Sequence, residues 1–397
     1  MAKSPEQNGL EDKQSEQNQS ARGQISHLSS KQSQPDPQHH DPQRAEAGLP
    51  GAKRPFRYFT VEHYIDNDLT LKRWRRFKRK KLAVASVWVL LISVFFSFSA
   101  EIWSNSKPLV LLYKGKTYFP VFQTYHPADF ARTDVLVMDY RNLEMGAGDW
   151  VLWPINRWDP FESNNAVKVF PGPPSSDNLL GTDDRGRDVL ARLLYGFRYS
   201  MIFALGLWAL SYVIGTLVGA LMGYFGGWTD LLGQRLVEVF ESIPIFLLLL
   251  TLISIFNPSV FLLILFNTVF GWMFISIYVR AEFLRLRRRE FVEAARAIGA
   301  STRRVVFKHI LPNALGPLIT FSPFNVAGNI STLAALDYLG FGLQPPTPSW
   351  GEMLGQAQKY FTVAWWLAVF TSLFLFITLV VLNLIGNGVR DAFDPRK

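Results

Sequence analysis

The residues with the most informative spacing lie in one basic segment of the chain. Two adjacent small residues, Ala294 and Ala295, follow Glu293, and Gly299 comes after three further positions. Two alanines remove side-chain bulk from one face of a helix, so another protein could approach the backbone there while Glu293 fixes its orientation. This pattern suits a mechanical contact between proteins, and it offers no nucleophile and no paired acid and base.

The positions around these residues predict two short helices that meet at an angle. A first helix over 290–298 can end at Gly299, because glycine adopts the positive φ of a helix C-terminus at low cost. Ser301 can then cap a second helix that runs through Lys308. Three further residues of the pattern lead into an apolar run: His309, Leu311 and Pro312.

A second group of polar residues falls inside that later apolar run: Asn325, Asn329, Ser331 and Thr332. Amide and hydroxyl groups offer hydrogen-bond donors and acceptors, so these residues could line a path for a polar substrate. Small polar residues equally hold membrane helices together, which is the interpretation that we favour from the sequence. A translocation path at these positions is therefore a hypothesis.

Catalytic and metal-binding patterns are not found along the chain. There is no G-x-x-x-x-G-K-[ST] phosphate loop, and no cluster of His and carboxylates lies near the end of an apolar run. The sequence contains no Cys, which excludes disulfides and thiolate metal sites. We therefore expect no enzyme activity, no metal site and no cofactor bound by this chain.

The elements that must position these residues are apolar runs long enough to cross a membrane. The chain is 49% hydrophobic, with 12 Trp and 32 Phe among 397 residues, more apolar side chain than a soluble domain needs to bury. A bilayer core of about 30 Å requires roughly 20 residues of helix. Six runs are predicted as spans: 82–100, 199–228, 243–256, 259–279, 311–336 and 361–389. The expected fold class is an all-α polytopic membrane protein with six transmembrane helices.

Lysine and arginine indicate the orientation of these spans. One basic block, 72–81, precedes the first span, and a second, 280–308, lies between the fourth and fifth. Since cationic loops stay in the cytoplasm, both blocks and both termini are predicted to be cytoplasmic. Anionic membrane lipid accounts for the net charge of +9, and nucleic acid is not expected as a partner.

Composition divides the chain into five parts: a disordered cytoplasmic tail (1–70), a basic flank with the first span (71–100), an extracytoplasmic element (101–198), a core of five spans with the loop at 280–310 (199–390), and a cytoplasmic C-terminus (391–397). Within the extracytoplasmic element, Gly115 predicts the turn of a hairpin. Asp183 or Asp184 is predicted to cap an amphipathic helix. The tryptophans of this element either form its core and interfacial belt, which we favour, or present a docking surface.

The Glu293-Ala294-Ala295 sequence with its glycine and Leu-Pro resembles the hallmark loop of permease subunits of ATP-binding-cassette importers. In that family the loop sits in a groove of the ATPase subunit. His309 stands where an apolar residue is usual, a departure that resembles the dipeptide and oligopeptide branch. The segment 180–196 is similar to the one before the core helices in C-type subunits of peptide permeases. The resemblance runs from about residue 71 to the end and is nearest to importers of oligopeptides and microcin C.

The resemblance implies a function and a set of partners. It implies a type I importer permease that translocates oligopeptides or peptide-like compounds, including microcin C-like ones, across the bacterial inner membrane. The implied partners are a second permease subunit of the B type, two ATP-binding domains and a periplasmic peptide-binding protein. The alternatives are a permease of the same type for another solute, such as nickel or a glycoside, and an ion-coupled secondary transporter. We disfavour the last because the second, fourth, fifth and sixth predicted spans carry no ionisable residue.

Overall fold

The computed structural model describes residues 68–394, apart from residues 131, 133–134 and 137. The predicted tail over 1–70 therefore falls almost entirely outside the described residues, and a helix already begins at Asp68. The helices α1 to α12 are, in chain order, Asp68–Arg79, Lys81–Phe98, Ala100–Trp103, Val189–Phe225, Gly227–Glu241, Ile245–Ile255, Val260–Leu286, Glu290–Ala297, Thr302–Arg304, Leu311–Tyr338, Trp350–Lys359 and Trp365–Phe393. The strands β1 to β3 are Val110–Tyr113, Lys116–Tyr118 and Trp150–Leu152.

A small antiparallel sheet follows the first long helix. Its strand order is β2-β1-β3, and β1 pairs with β2 so that Leu111 lies opposite Tyr118. The predicted hairpin is confirmed, because Lys114 and Gly115 form its turn with φ of 51° and 78°, the conformation that tight hairpins use. The sheet belongs to the segment between the first and second predicted spans, and the rest of the fold is mostly helical, as expected.

Within the described residues, four helices are long and apolar enough to cross a membrane, judged by length and composition: α2, α4, α7 and α12. They correspond to the predicted first, second, fourth and sixth spans, although α4 already begins at Val189 rather than at Tyr199. The fifth predicted span is α10, which has 28 residues and contains Pro317 and Pro323. Helix α10 is long enough to cross a membrane, but its composition is not apolar enough for it to be counted with those four helices.

Helices α4 and α7 pack against each other along their length and run parallel. Gly215, Gly219 and Gly223 of α4 lie one turn apart and face α7. A Cβ atom at Gly215 would lie 2.6 Å from the Trp272 carbonyl oxygen, and one at Gly223 would lie 2.6 Å from the Arg280 carbonyl oxygen. The two backbones therefore touch over successive turns, an approach that glycine permits because it has no side chain.

The third predicted span, 243–256, differs from the observed helices. Because α4 and α7 run parallel, the chain must return to the start of α7 between them, and α5 and α6 make this return. Helix α6 has 11 residues and alone covers about 16 Å, half of a bilayer core. The break between α5 and α6 lies at Ser242 to Pro244, because proline lacks the N–H that a continuous helix needs.

The start of α4 packs against α11, a helix inside the loop that joins the fifth and sixth predicted spans. Trp350 of α11 is buried, and its indole N–H donates to the Leu193 carbonyl oxygen at 3.0 Å. A Cβ atom at Gly196 would lie 2.9 Å from the Trp350 ring. The same hydrophobic cluster includes Ile330 of α10 and Leu382 of α12. The loop is therefore part of the core that joins three long helices.

Helix α1 packs on the C-terminal end of α12. The Lys80 ammonium lies 2.6 Å from the Asp391 carboxylate, and Arg76 donates from Nη1 to the Asp394 carbonyl oxygen at 3.0 Å. The Phe77 ring lies against Gly388, where a Cβ atom would be 2.9 Å from the ring. The beginning and the end of the described chain therefore lie at the same end of the helix bundle.

Candidate functional site

The first short helix of the basic loop ends as the sequence predicts. Helix α8 is followed by Gly299 at φ 80°. The Gly299 N–H donates to the Arg296 carbonyl oxygen at 2.9 Å, and the Ala300 N–H donates to the Ala295 carbonyl oxygen at 3.0 Å. These two bonds satisfy carbonyls that a helix end otherwise leaves unpaired. The predicted positive φ at Gly299 is confirmed.

The second short helix begins as predicted but does not end near Lys308. Ser301 caps α9 by accepting a hydrogen bond from the Arg304 N–H. The chain then continues through a π-helical turn, Val305–Ile310, directly into α10. Pro312, in the first turn of α10, has no N–H to donate to a carbonyl oxygen of the preceding turn. N–H groups from residues further along the chain bond these carbonyls instead, and this wider spacing is the π-helical turn. The end of the loop and α10 thus form one continuous helical piece.

One face of the loop is buried against the spanning helices. Val292, Ala295, Val305 and Ile310 are buried. Three of them, Val292, Val305 and Ile310, share a hydrophobic cluster with Phe283 at the end of α7. Ala295 therefore packs inside this chain, and only Ala294 of the two alanines is exposed. The expectation that both alanines form one open face is corrected, because successive helical residues point about 100° apart.

The opposite face of the loop exposes large apolar side chains that sequence reasoning did not single out. Phe291 is 42% exposed, Ile298 86% and Phe307 60%, and the exposed Glu293 and Ala294 belong to the same helix α8 as Phe291. We call these five residues the coupling surface. Apolar side chains this exposed on short loop helices are typical of a surface that another protein covers.

Arginines tie the loop to the junction of α4 and α5. The Arg287 guanidinium donates from Nη1 to the Tyr224 carbonyl oxygen at 3.0 Å, and the Arg296 guanidinium lies over the Tyr224 ring at 5.5 Å from its centroid. Arg280 donates from Nη2 to the Asp230 carboxylate at 2.7 Å. The loop that carries the coupling surface is therefore connected to α4, α5 and α7 as well as to α10. His309 is half-buried and accepts at its carbonyl oxygen from the Asn313 side chain.

The second predicted group divides into two pairs. Asn325 donates from Nδ2 to the Tyr212 hydroxyl at 2.7 Å, and Asn329 donates from Nδ2 to the Ala204 carbonyl oxygen at 3.0 Å. Both asparagines therefore join α10 to α4, which is the helix-packing role. The other two are exposed, and their hydroxyls donate to carbonyls of their own helix: Ser331 and Thr332.

A buried polar network at the start of α4 was not expected to have a role. Arg192 is 0% exposed. It forms an ion pair with Glu352 of α11 and approaches the Asp183 carboxylate at 3.4 Å. Arg187 donates to the same two carboxylates, at 2.7 Å to Asp183 and 3.2 Å to Glu352. The charge-dense sequence of 183–188 beside an apolar stripe was the available signal for this network.

The cap of α4 also differs from the prediction. Asp188, rather than Asp183 or Asp184, accepts the hydrogen bond from the Ala191 N–H, at 2.8 Å. Its carboxylate also accepts from the Asn156 and Asn178 side-chain amides, at 2.7 Å and 2.9 Å. Burial raises the pKa of the Asp188 carboxyl, and these hydrogen bonds act against that rise because they favour the ionised form.

Comparisons with known proteins agree with this architecture. The family model of binding-protein-dependent transport system inner membrane components matches residues 215–397, and that of the N-terminal TM domain of oligopeptide transport permease C matches residues 71–127. The chain is 42% identical to the inner membrane ABC transporter permease protein YejE of Escherichia coli, over 82% of this chain and 96% of that protein.

Two further relatives are similar over large parts of the chain. The peptidoglycan transport system permease protein YejE of Agrobacterium fabrum is 38% identical, over 83% of this chain and 93% of that protein. The oligopeptide transport system permease protein OppC of Haemophilus influenzae is 37% identical, over 55% of this chain and 70% of that protein. The chain therefore belongs to the family of inner-membrane permease components of ATP-binding-cassette transporters that includes these peptide permeases.

Proposed function

We propose that this chain is the permease subunit of an importer that moves oligopeptides or peptide-like compounds, microcin C-like ones included, across the bacterial inner membrane. ATP is hydrolysed on partner subunits, which hold the ATP and Mg²⁺, and this chain binds neither. The observation that carries the proposal is the coupling surface. Its exposed apolar side chains stand on a loop whose other face is buried, so a partner that covers Ile298 also acts on the loop.

The loop is firmly joined to the membrane helices, so a displacement of the loop is transmitted to them. Val305–Ile310 continues into α10 without a break, and Arg296 and Arg287 hold the loop to Tyr224 at the end of α4. A displacement of the coupling surface therefore moves α10 and α4 together. This is the property that an ATP-driven permease requires, since its own chain carries no phosphate-binding loop.

The substrate class is inferred from the similarity to the peptide permeases described above. The relatives are named for oligopeptide and peptidoglycan transport, and compounds of both kinds contain peptide chains with amide bonds and charged groups. We propose a complex with a second permease of the B type, two ATP-binding domains and a periplasmic peptide-binding protein. Ser331 and Thr332 remain candidates for the path, because their side of α10 is exposed in the single chain.

We also propose that both termini and the coupling surface face the cytoplasm. Lys80 and Asp391 bring the beginning and the end of the described chain to one end of the bundle. Helix α4 begins beside the end of α2, where the Ser97 hydroxyl donates to the Leu194 carbonyl oxygen, so α4 returns to the end where α2 began. The loop joined to Tyr224 lies at that same end, and cationic loops are typical of the cytoplasmic side.

The test is uptake of a labelled peptide in cells that carry the complete set of subunits. Ile298→Glu places a charge at an exposed apolar position, and Glu293→Lys reverses a charge elsewhere on the coupling surface. Both variants should insert normally but lose co-purification with the ATPase subunit and most peptide uptake. Val169→Glu, at another exposed apolar position, is the matched control. Normal uptake by both loop variants at normal membrane abundance would contradict the proposal.

A further inference from the structure

Helix α5 carries ionisable side chains beside the middle of a candidate membrane span. Val237 of α5 packs in one cluster with Trp272 and Met273 of α7, and the Phe240 ring lies 6.0 Å from the Phe270 ring. Met273 is equidistant from the two ends of α7, which runs from Val260 to Leu286. The second half of α5 therefore lies near mid-depth of the span.

The first half of α5 fixes its direction. Asp230 pairs with Arg280 near the end of α7, whereas Val237 and Phe240 contact the centre of α7. Helix α5 thus runs from the end of α4 toward the middle of the membrane, and the break at Ser242 to Pro244 follows at that depth. Arg235, Glu238 and Glu241 all lie in the second half of α5.

Polar and apolar side chains occupy different flanks of this segment. With about 100° between successive helical residues, one flank carries the polar residues Gln234, Arg235, Glu238, Glu241 and Ser242. The other flank carries the apolar residues Leu232, Leu236 and Val239. Arg235 and Glu238 form an ion pair at 2.5 Å, with side chains 67% and 55% exposed. We call the first set the polar flank.

Hydrocarbon cannot cover the polar flank at low cost. Ionisable side chains at membrane depth are rare, and they face a water-filled cavity or polar groups of another protein. The exposure of Arg235 and Glu238 means that the rest of the described chain does not cover them. The apolar flank, in contrast, suits lipid or a neighbouring helix. If water covers the polar flank and lipid or a neighbouring helix covers the apolar one, α5 forms part of the wall of an aqueous path.

We propose that the polar flank lines the translocation path and receives the amino end of the transported peptide, an inference that rests on the proposed function. Arg235 neutralises Glu238, whereas Glu241 has no cationic partner among the residues that the structure describes. The flank therefore carries a net negative charge, which attracts an ammonium group. A peptide end also gains hydrogen bonds from the Gln234 and Ser242 side chains.

Hydration of the flank is tested with single cysteines in the complete importer, because the natural chain has no Cys. Glu238→Cys and Glu241→Cys are compared with Leu236→Cys and Val239→Cys, which lie at the same depth on the apolar flank. A charged methanethiosulfonate reagent should react about tenfold faster or more with the first pair, because it attacks the thiolate, which forms in water. Equal rates on the two flanks would overturn the path assignment.

The ligand is tested by the uptake of a tripeptide with a free amino end and of its N-acetylated analogue. Glu238→Gln and Glu241→Gln should lower the uptake of the free-amine peptide roughly tenfold, the typical effect of a lost charged hydrogen bond, and should change the analogue little. Glu144→Gln, at an exposed carboxylate in a loop, is the control. Equal effects on both peptides, or none, would overturn the amino-end assignment.

The two experiments separate this inference from the proposed function. If the natural chain with its partners moves no peptide, the proposed function fails, whatever the labelling gives. If the natural chain transports peptides and the two flanks label alike, the proposed function stands and only the role of α5 is wrong.

Discussion

Arg192 and Glu352 form an ion pair inside the protein, between the first turn of α4 and helix α11. Arg192 has no exposed surface, and it also donates to the Pro160 carbonyl oxygen at 3.1 Å. A guanidinium this buried depends on its carboxylate partners, since removal of one partner leaves an uncompensated charge. The pair therefore joins three separate segments of the chain.

Replacement of one partner should be far more harmful than replacement of both. Glu352→Ala should lower the free energy of unfolding by about 3–5 kcal/mol, because Arg192 then stays buried without its partner. The double variant Arg192→Met with Glu352→Met should recover most of the loss, since Asp183 keeps Arg187. Thermal unfolding of the purified protein in detergent measures both. Equal losses in the single and double variants would show that the charges are not coupled.

The glycine contact between α4 and α7 should tolerate no side chain. Gly219→Ala places a Cβ atom against the Ser276 carbonyl oxygen, and a forced backbone shift typically costs about 1–3 kcal/mol. Gly316→Ala is the control, because nothing lies within 4 Å of its Cβ position and alanine favours helix by up to about 1 kcal/mol. The melting temperature should fall for Gly219→Ala, and it should stay the same or rise for Gly316→Ala.

Gly299 should be sensitive to backbone strain rather than to lost contact. Its φ is 80° and no atom lies within 4 Å of its Cβ position, so Gly299→Val costs about 1–2 kcal/mol through conformation alone. Peptide uptake should fall while membrane abundance stays normal. Gly299→Asn should be milder, because asparagine accepts positive φ more readily. A comparison of uptake by the two variants checks this, and equal losses would point to a cause other than backbone strain.

The Asp184 carboxyl should make stability depend on pH. Burial, and then the neighbouring Asp183 charge, raises the pKa of Asp184 above its ordinary 3.8. The folded state therefore holds this proton more tightly than the unfolded state, and the carboxylate destabilises the fold above the raised pKa. Asp184→Asn should raise the melting temperature at pH 7, and the gain should shrink as pH falls toward 4. A gain that stays constant between pH 7 and pH 4 would contradict this prediction.

The orientation can be measured on the same cysteine-free background. Ser176→Cys in the segment before α4 should react with an impermeant maleimide added outside spheroplasts. Thr302→Cys in the basic loop at 280–310 should react only after permeabilisation. Both positions are exposed, so burial does not limit the reaction. The reverse pattern would overturn the assignment of the basic loops to the cytoplasm.

Local rules predicted the parts of the fold that depend on neighbouring residues. The Lys114-Gly115 turn, the positive φ of Gly299 and the Ser301 cap each follow from a few adjacent positions. The prediction for the cap of α4 was wrong, because Asp183, Asp184 and Asp188 all have side chains that can cap a helix. Only the tertiary contacts of Asp188 with Asn156 and Asn178 decide among them.

The depth of α5 and the coupling surface could be recognised only from tertiary information. Arg235 and Glu238 lower the hydropathy of α5, so a search for charge-free runs assigns that segment to a loop. Its depth follows only from the packing of Val237 on α7. Ala294 and Ala295 are the same residue type, yet Ala294 is exposed and Ala295 is buried. The orientation of α8, which packs through Val292 in the cluster that contains Phe283, decides between them.

The contact between α1 and α12 sets an order for biosynthesis. Arg76 and Lys80 leave the ribosome long before Asp391 and Asp394, so α1 must wait for its binding site until α12 has been synthesised. Only a chain in which α12 has been inserted can form this contact. A start of α1 that is protease-sensitive in ribosome-bound intermediates without α12, and protected once α12 is inserted, would therefore report the insertion of that helix.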